Sequence, residues 1–151
     1  KYTNQGNVKL KVEIPAYESG DNWATQLVQK NIQLYEGKWY VAQFKITSDV
    51  DKSFQLLIQS DGNSGGDWTK FAQEDVDVLA GETKTVQIQF QANQSTAANV
   101  LYGIMMGYIN GASKAANVTI ENVSLKVYND EQPISGTQTV LLTSNDENQL
   151  V

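Results

Sequence analysis

SFQLLIQ, residues 53–59, alternates between two kinds of side chain. In an extended chain Phe54, Leu56 and Ile58 fall on one face and Gln55, Leu57 and Gln59 on the other, because successive side chains of a strand point in opposite directions. The same period of two recurs on both sides of this run. Upstream, NVKLKVEI (7–14) sets Val8, Leu10, Val12 and Ile14 against Lys9, Lys11 and Glu13, and KWYVAQFKI (38–46) follows the turn YEGK. Downstream, TVQIQFQ (85–91) sets Val86, Ile88 and Phe90 against three glutamines, and VLYGIMMGY (100–108) and VTIENVSLKVY (118–128) continue in the same style. Gly, Asn and Asp separate the runs. Short alternating strands at this spacing predict an all-β fold, an antiparallel β-sandwich or jelly roll. No segment sustains a helical period; FAQEDV (71–76) and STAAN (95–99) have room for a short helical turn at most.

The chain has 151 residues, enough for one domain with a real core. Its 17 acidic and 11 basic residues leave a net charge of −6, which argues against nucleic acid as a partner. No apolar run approaches the twenty or so residues of a membrane-spanning helix. No signal peptide is legible in the opening KYTNQGN. Without cysteine there is no disulfide and no thiolate metal site, which fits a cytosolic protein and equally a secreted one that does without disulfides. Without histidine, Ser-His-Asp chemistry and histidine-ligated zinc or iron drop out together. Hydrolysis by a carboxylate pair survives, since it needs only Asp and Glu. The remaining polar residues are mostly Gln, Asn, Ser and Thr. They suit neutral, hydroxyl-rich ligands, and they are also ordinary strand-surface filler.

Placed in order, the strands resemble the carbohydrate-binding modules of the family four, nine, sixteen and twenty-two group. The residues that carry this are Trp23, Gln26 and Leu27; Leu34, Gly37, Tyr40 and Phe44; Phe90; Gly107; and the closing Ile120-Glu121-Asn122-Val123-Ser124-Leu125. The resemblance covers about residues 6 to 128. It departs at the start, where the usual opening strand and Gly-Trp pair are missing before Asn7. After Asp130 the texture changes: EQPISGTQ (131–138) reads as a linker, TVLLTS (139–144) as one more strand, and NDENQLV (145–151) as a polar end. The expected organisation is a carbohydrate-binding sandwich over 1–130. Residues 131–151 are then a linker, a C-terminal strand completing the sandwich, or the start of a next module.

What the resemblance implies is a jelly roll whose concave sheet carries a cleft for a single β-linked glucan or glucomannan chain. Strand parity then assigns sides. Gln26, Val28 and Lys30, with Gln55, Leu57 and Gln59, face the cleft, and Leu101, Gly103 and Met105 form its floor. Gln87 and Gln89 belong to the opposite sheet. Aromatic rings stack on the C–H faces of a pyranose, and amides donate to and accept from its hydroxyls. Trp68, in the loop SDGNSGGDWTKF (60–71), is therefore the expected platform, with Gln26, Gln55 and Gln59 as the hydrogen-bonding set and Tyr108 as an opposite rim. Asn110 shares that rim, and Tyr17 is a weaker candidate. In the competing structural reading, Trp68 folds back over the end of the sandwich as a satellite core. Trp23 shares the parity of Thr25 and Leu27, which assigns it to the core; Trp39 is expected to be partly buried in the convex sheet.

Three further expectations follow. The group often carries a structural calcium near the closing motif, and Glu121 is the matching carboxylate for an oxygen-seeking ion. Such a module is secreted, bacterial and covalently linked to a glycoside hydrolase, with a tandem module as a further partner; it contacts neither nucleic acid nor membrane. The chain itself is not expected to be an enzyme. Asp75 and Asp77 would lie about 7 Å apart at ~3.3 Å per extended residue, and Glu18 and Asp21 form another pair, but nothing marks an acid with an apolar, pKa-raising environment. A structural or adhesive β-sandwich without a sugar site is the reading from a different class.

Overall fold

The computed structural model describes residues 9–128 and 138–140. Among the described residues nine strands form two antiparallel sheets. The first contains β1 (Lys9–Ile14), β3 (Trp39–Ser48), β6 (Thr83–Gln91) and β8 (Ala116–Tyr128), ordered β1-β8-β3-β6. The second contains β2 (Gln26–Ile32), β4 (Lys52–Ser60), β5 (Lys70–Val78) and β7 (Val100–Met105), ordered β2-β7-β4-β5. Neighbours in each sheet are mostly distant in sequence, as a jelly roll requires.

The core lies between the sheets and is made by the inward half of each alternating run. Tyr40, Ala42, Phe44 and Ile46 of β3 meet Phe54, Leu56 and Ile58 of β4, with Tyr102 and Ile104 of β7 and Ile120 of β8, all fully buried or nearly so. Each of the larger apolar side chains contributes roughly 1.5–3 kcal/mol by leaving water. Tyr40 stacks on Phe90 with ring centroids 5.4 Å apart. Tyr102 spans the layers: its buried hydroxyl donates to the Gln43 carbonyl at 3.0 Å, and burial pushes its pKa well up.

One expectation is overturned. FAQEDV is strand, not a helical turn: it lies within β5, paired residue for residue with β4 from Lys52↔Val78 to Ile58↔Ala72. Polar, mixed composition made it look turn-like. A sheet edge needs little apolar side chain, because pairing with β4 satisfies its backbone. STAAN is not helical either; the helical pieces among the described residues are two short 3-10 turns, Asn22–Ala24 and Gly62–Ser64.

The far end of the chain touches the first sheet through β9 (Gln138–Val140), which pairs with Lys126–Tyr128. Since β3 also pairs with Lys126–Tyr128, β9 occupies the edge of β8 that β1 fills alongside Ala116–Glu121. Thr139 and Val140, the first residues of TVLLTS, lie in β9. Residues 131–137 and 141–151 lie outside the described residues.

Candidate functional site

The outer face of the second sheet is a grid built by register. Gln26, Met105, Gln55 and Asp75 lie side by side in one row, and Val28, Gly103, Leu57 and Gln73 in the next. Leu101, Gln59 and Lys70 continue it, with Lys30 on the β2 edge. Four strands about 4.8 Å apart make this face about 14 Å wide, and the four steps from Gln26 to Lys30 add about 13 Å of length. Over it opens a cleft of about 700 Å³.

Its floor is apolar. Leu57 and Met105 are buried together with Ile109, and Val28 and Leu101 are buried beside them. Gly103 makes this possible: a Cβ there would stand 2.4 Å from the Met105 terminal methyl, so Met105 lies across the space that any side chain at 103 would fill. Amides and charges stand around the floor, with Gln26 exposed, Gln59 half-buried, and Lys30 ion-paired at 3.6 Å with the buried Asp61.

Two indoles close the cleft at opposite ends. Trp68 comes from the loop between β4 and β5, is 48% exposed and lines the cleft. The loop is built to hold it. Ser60 Oγ accepts from the Asp67 and Thr69 amides and donates to Asp67 Oδ1. Hydrogen bonds from Thr69 and Ser60 hold the Asp67 carboxyl down at about 2. Asp61 caps the 3-10 turn by accepting from the Asn63 amide and Ser64 hydroxyl. Trp68 itself takes a left-handed backbone, φ 63°. Its indole then lies against Gly62, where a Cβ would collide with the ring nitrogen at 2.0 Å. The ring thus packs on its own loop and also lines the cleft.

The second indole is Trp23, 58% exposed and lining the cleft with Asn22. This corrects its assignment to the core. Strand parity counted back from Leu27 fails because β2 begins at Gln26, and Asn22–Ala24 is a 3-10 turn that re-aims the side chain. The turn-forming Gly20-Asp21-Asn22 just before it was the available signal.

Of the expected ligand set, the cleft brings together Trp68, Gln26, Gln59, Lys30, Leu57 and Met105. Gln55 has the right row but is engaged, accepting from Asn22 Nδ2 at 2.7 Å. Tyr108, half-buried, does not line the cleft; its amide donates to the Asp21 carbonyl instead, and the end it was expected to rim is formed by Asn22 and Trp23. Tyr17 turns its hydroxyl to Thr25, away from the cleft lining. Asn63 and Lys70 line the cleft without having been singled out in the sequence. Trp39 is partly buried in the first sheet.

Glu121 sits on β8 in the other sheet, 3.8 Å from the Lys9 ammonium. Among the described residues no group of three or more acidic side chains gathers at one point. Asp75 accepts from Gln73 at 2.9 Å and Asp77 from Ser53 at 2.5 Å, both on the exposed β5 edge, where neither acid has an apolar pocket.

The sequence matches the family described as "Carbohydrate binding domain" over residues 3–110. Several solved structures superpose on the sandwich. The family four module of "CBM4 structure and function" does so with a TM-score of 0.66 at 20% identity, covering 84% of this chain and 77% of that one. The N-terminal cellulose-binding domain of Cellulomonas fimi β-1,4-glucanase C gives 0.63 at 17% identity, covering 85% and 84%. The second N-terminal cellulose-binding domain of that enzyme gives 0.55 at 22% identity, covering 82% and 80%. At these identities the likeness is one of fold. No curated protein matches the chain.

Proposed function

Because this chain belongs to the carbohydrate-binding modules of the family four, nine, sixteen and twenty-two group, and is therefore a non-catalytic sugar-binding domain, we propose that it holds one β-linked glucan or glucomannan chain in the cleft of its second sheet. The observation that carries this is the pair of half-exposed indoles at opposite ends of an apolar, amide-edged floor. Sugar rings stack at Trp23 and Trp68, while Gln26, Gln59 and Asn22 meet hydroxyls along the chain. A floor recessed between loops suits a single soluble chain. A crystalline face would call for coplanar rings on a flat surface.

The module acts outside the cell, joined to a glycoside hydrolase that it keeps close to plant cell-wall polysaccharide. Tethering of this kind raises the local concentration of enzyme on substrate without new contacts. In support, two of the similar domains are cellulose-binding domains of a glucanase. The binding module is taken as residues 1–130, with β9 adding to the edge of β8.

The test is isothermal titration with cellohexaose, mannohexaose, laminarihexaose and xylohexaose, backed by affinity gels containing soluble glucan. Saturable binding of cellohexaose or mannohexaose is the expected result. Binding of none of the four, with no retardation in the gel, would overturn the proposal and leave a sandwich that serves as a structural spacer.

A further inference from the structure

Lys52, at the start of β4, is 6% exposed. Its ammonium donates to the Gly107 carbonyl and to Ser113 Oγ, both at 3.0 Å, and lies 5.6 Å from the Tyr17 ring centroid and 5.8 Å from that of Phe54. The ion pairs among the described residues join Lys9 to Glu121, Lys30 to Asp61 and Lys84 to Glu82, so this buried cation has a carbonyl, a hydroxyl and two ring faces in place of a carboxylate. An ammonium out of water without a counter-charge is costly, and a methionine would fill the same space without that cost.

What the ammonium grips explains its place. The Gly107 carbonyl and the Tyr108 N–H belong to one peptide unit. That N–H donates to the Asp21 carbonyl at 3.0 Å. The Asp21 carbonyl also accepts from the Ala24 N–H, closing the turn that carries Asn22 and Trp23 into the cleft. A cation on one end of a peptide polarises it and strengthens the hydrogen bond from the other end. The Gly107 and Met106 amides add bonds to the carbonyls of Asn22 and Thr25, at 2.9 and 2.7 Å. Glycine is required at 107 because a Cβ would stand 2.3 Å from the Asp21 carbonyl oxygen.

We propose that Lys52 is a positioning residue for the sugar site: through the Gly107–Tyr108 peptide it sets the Asn22–Ala24 turn and so aims Trp23 at the cleft. This rests on the cleft being the sugar site, and the test separates the two. In the full chain, Lys52→Met is expected to shift or broaden the indole N–H resonance of Trp23, identified by its loss in Trp23→Phe, and to leave that of Trp68 in place. Hexasaccharide affinity should fall about tenfold, the scale of one well-placed contact. In a Trp23→Ala background the same substitution should change affinity less than about twofold, whereas in a Trp68→Ala background the full loss should persist. Gly107→Ala, which disturbs the same peptide from the opposite side, should reproduce the pattern and serves if Lys52→Met does not fold. An unmoved Trp23 resonance, or an equal loss of affinity with Trp23 already absent, overturns the proposal. If Trp23→Ala alone leaves binding unchanged, the sugar reading of this end fails, and the indole resonance by itself decides whether Lys52 places the turn.

Discussion

Removing the Trp68 ring is the sharpest perturbation of the cleft. A tryptophan side chain presents up to about 250 Å², and with 48% of the residue still exposed about 120 Å² is open to a ligand. At ~25 cal/mol per Å², complete cover by sugar is worth about 3 kcal/mol and cover of one half about 1.5 kcal/mol. Trp68→Ala should therefore weaken binding between about tenfold and 150-fold. A single neutral amide–hydroxyl hydrogen bond contributes about 0.5–1.5 kcal/mol, so Gln59→Ala should cost less. Titration calorimetry against the best-bound hexasaccharide reads both. The left-handed backbone at Trp68 supplies a control, because glycine adopts that conformation freely and alanine does not. If the loss comes from the missing platform, Trp68→Gly and Trp68→Ala behave alike. Recovery of affinity in the glycine variant, or wild-type affinity in both, would refute the platform argument.

Other consequences can be checked separately. Gly103→Ala displaces the flexible end of Met105 and presses on Leu101 Cδ1 at 3.3 Å, side-chain ends rather than backbone, so the stability loss should stay at about 1 kcal/mol, the low end for an overpacked site; the methionine is pushed up into the cleft and affinity should drop at least severalfold in the same titration. Tyr102→Phe leaves the Gln43 carbonyl without its donor and should cost about 1–3 kcal/mol of stability by urea denaturation, with sugar binding retained. The Asp67 carboxyl, held at about 2 against an ordinary 3.8, supports its loop wherever it is ionised. That support is complete above about pH 4 and is lost as pH falls through about 2, so the Trp68 indole resonance should stay fixed between pH 7 and 4 and move below 3. Movement already at pH 5 would show that the carboxylate is not what fixes the loop.

Which of these residues were legible in the sequence follows from how far each depends on long-range structure. Gln26, Leu57, Gln59 and Met105 reached the cleft in the structure as strand parity placed them. Alternation is a property of the extended backbone itself, and it holds wherever the strand is regular. Parity misplaced Trp23 because β2 begins only at Gln26, three residues after it, and the 3-10 turn Asn22–Ala24 that holds it replaces period two by period three. FAQEDV misled for a related reason, since an edge strand is stabilised by its neighbour's backbone more than by its own composition.

The sequence by itself determined the all-β sandwich, the family to which its strand pattern belongs, and the amide and apolar character of one sheet face. These depend on residue type and local period, which are fully written in the chain. The tertiary structure alone decided that Trp23 and Trp68, far apart in sequence, stand at the two ends of one cleft, that Gln55 is occupied by Asn22, and that a buried Lys52 grips the Gly107–Tyr108 peptide whose N–H bonds the Asp21 carbonyl. Those facts depend on where loops land after two sheets close on a common core. Such placement is set by contacts between residues dozens of positions apart, and no local pattern encodes it.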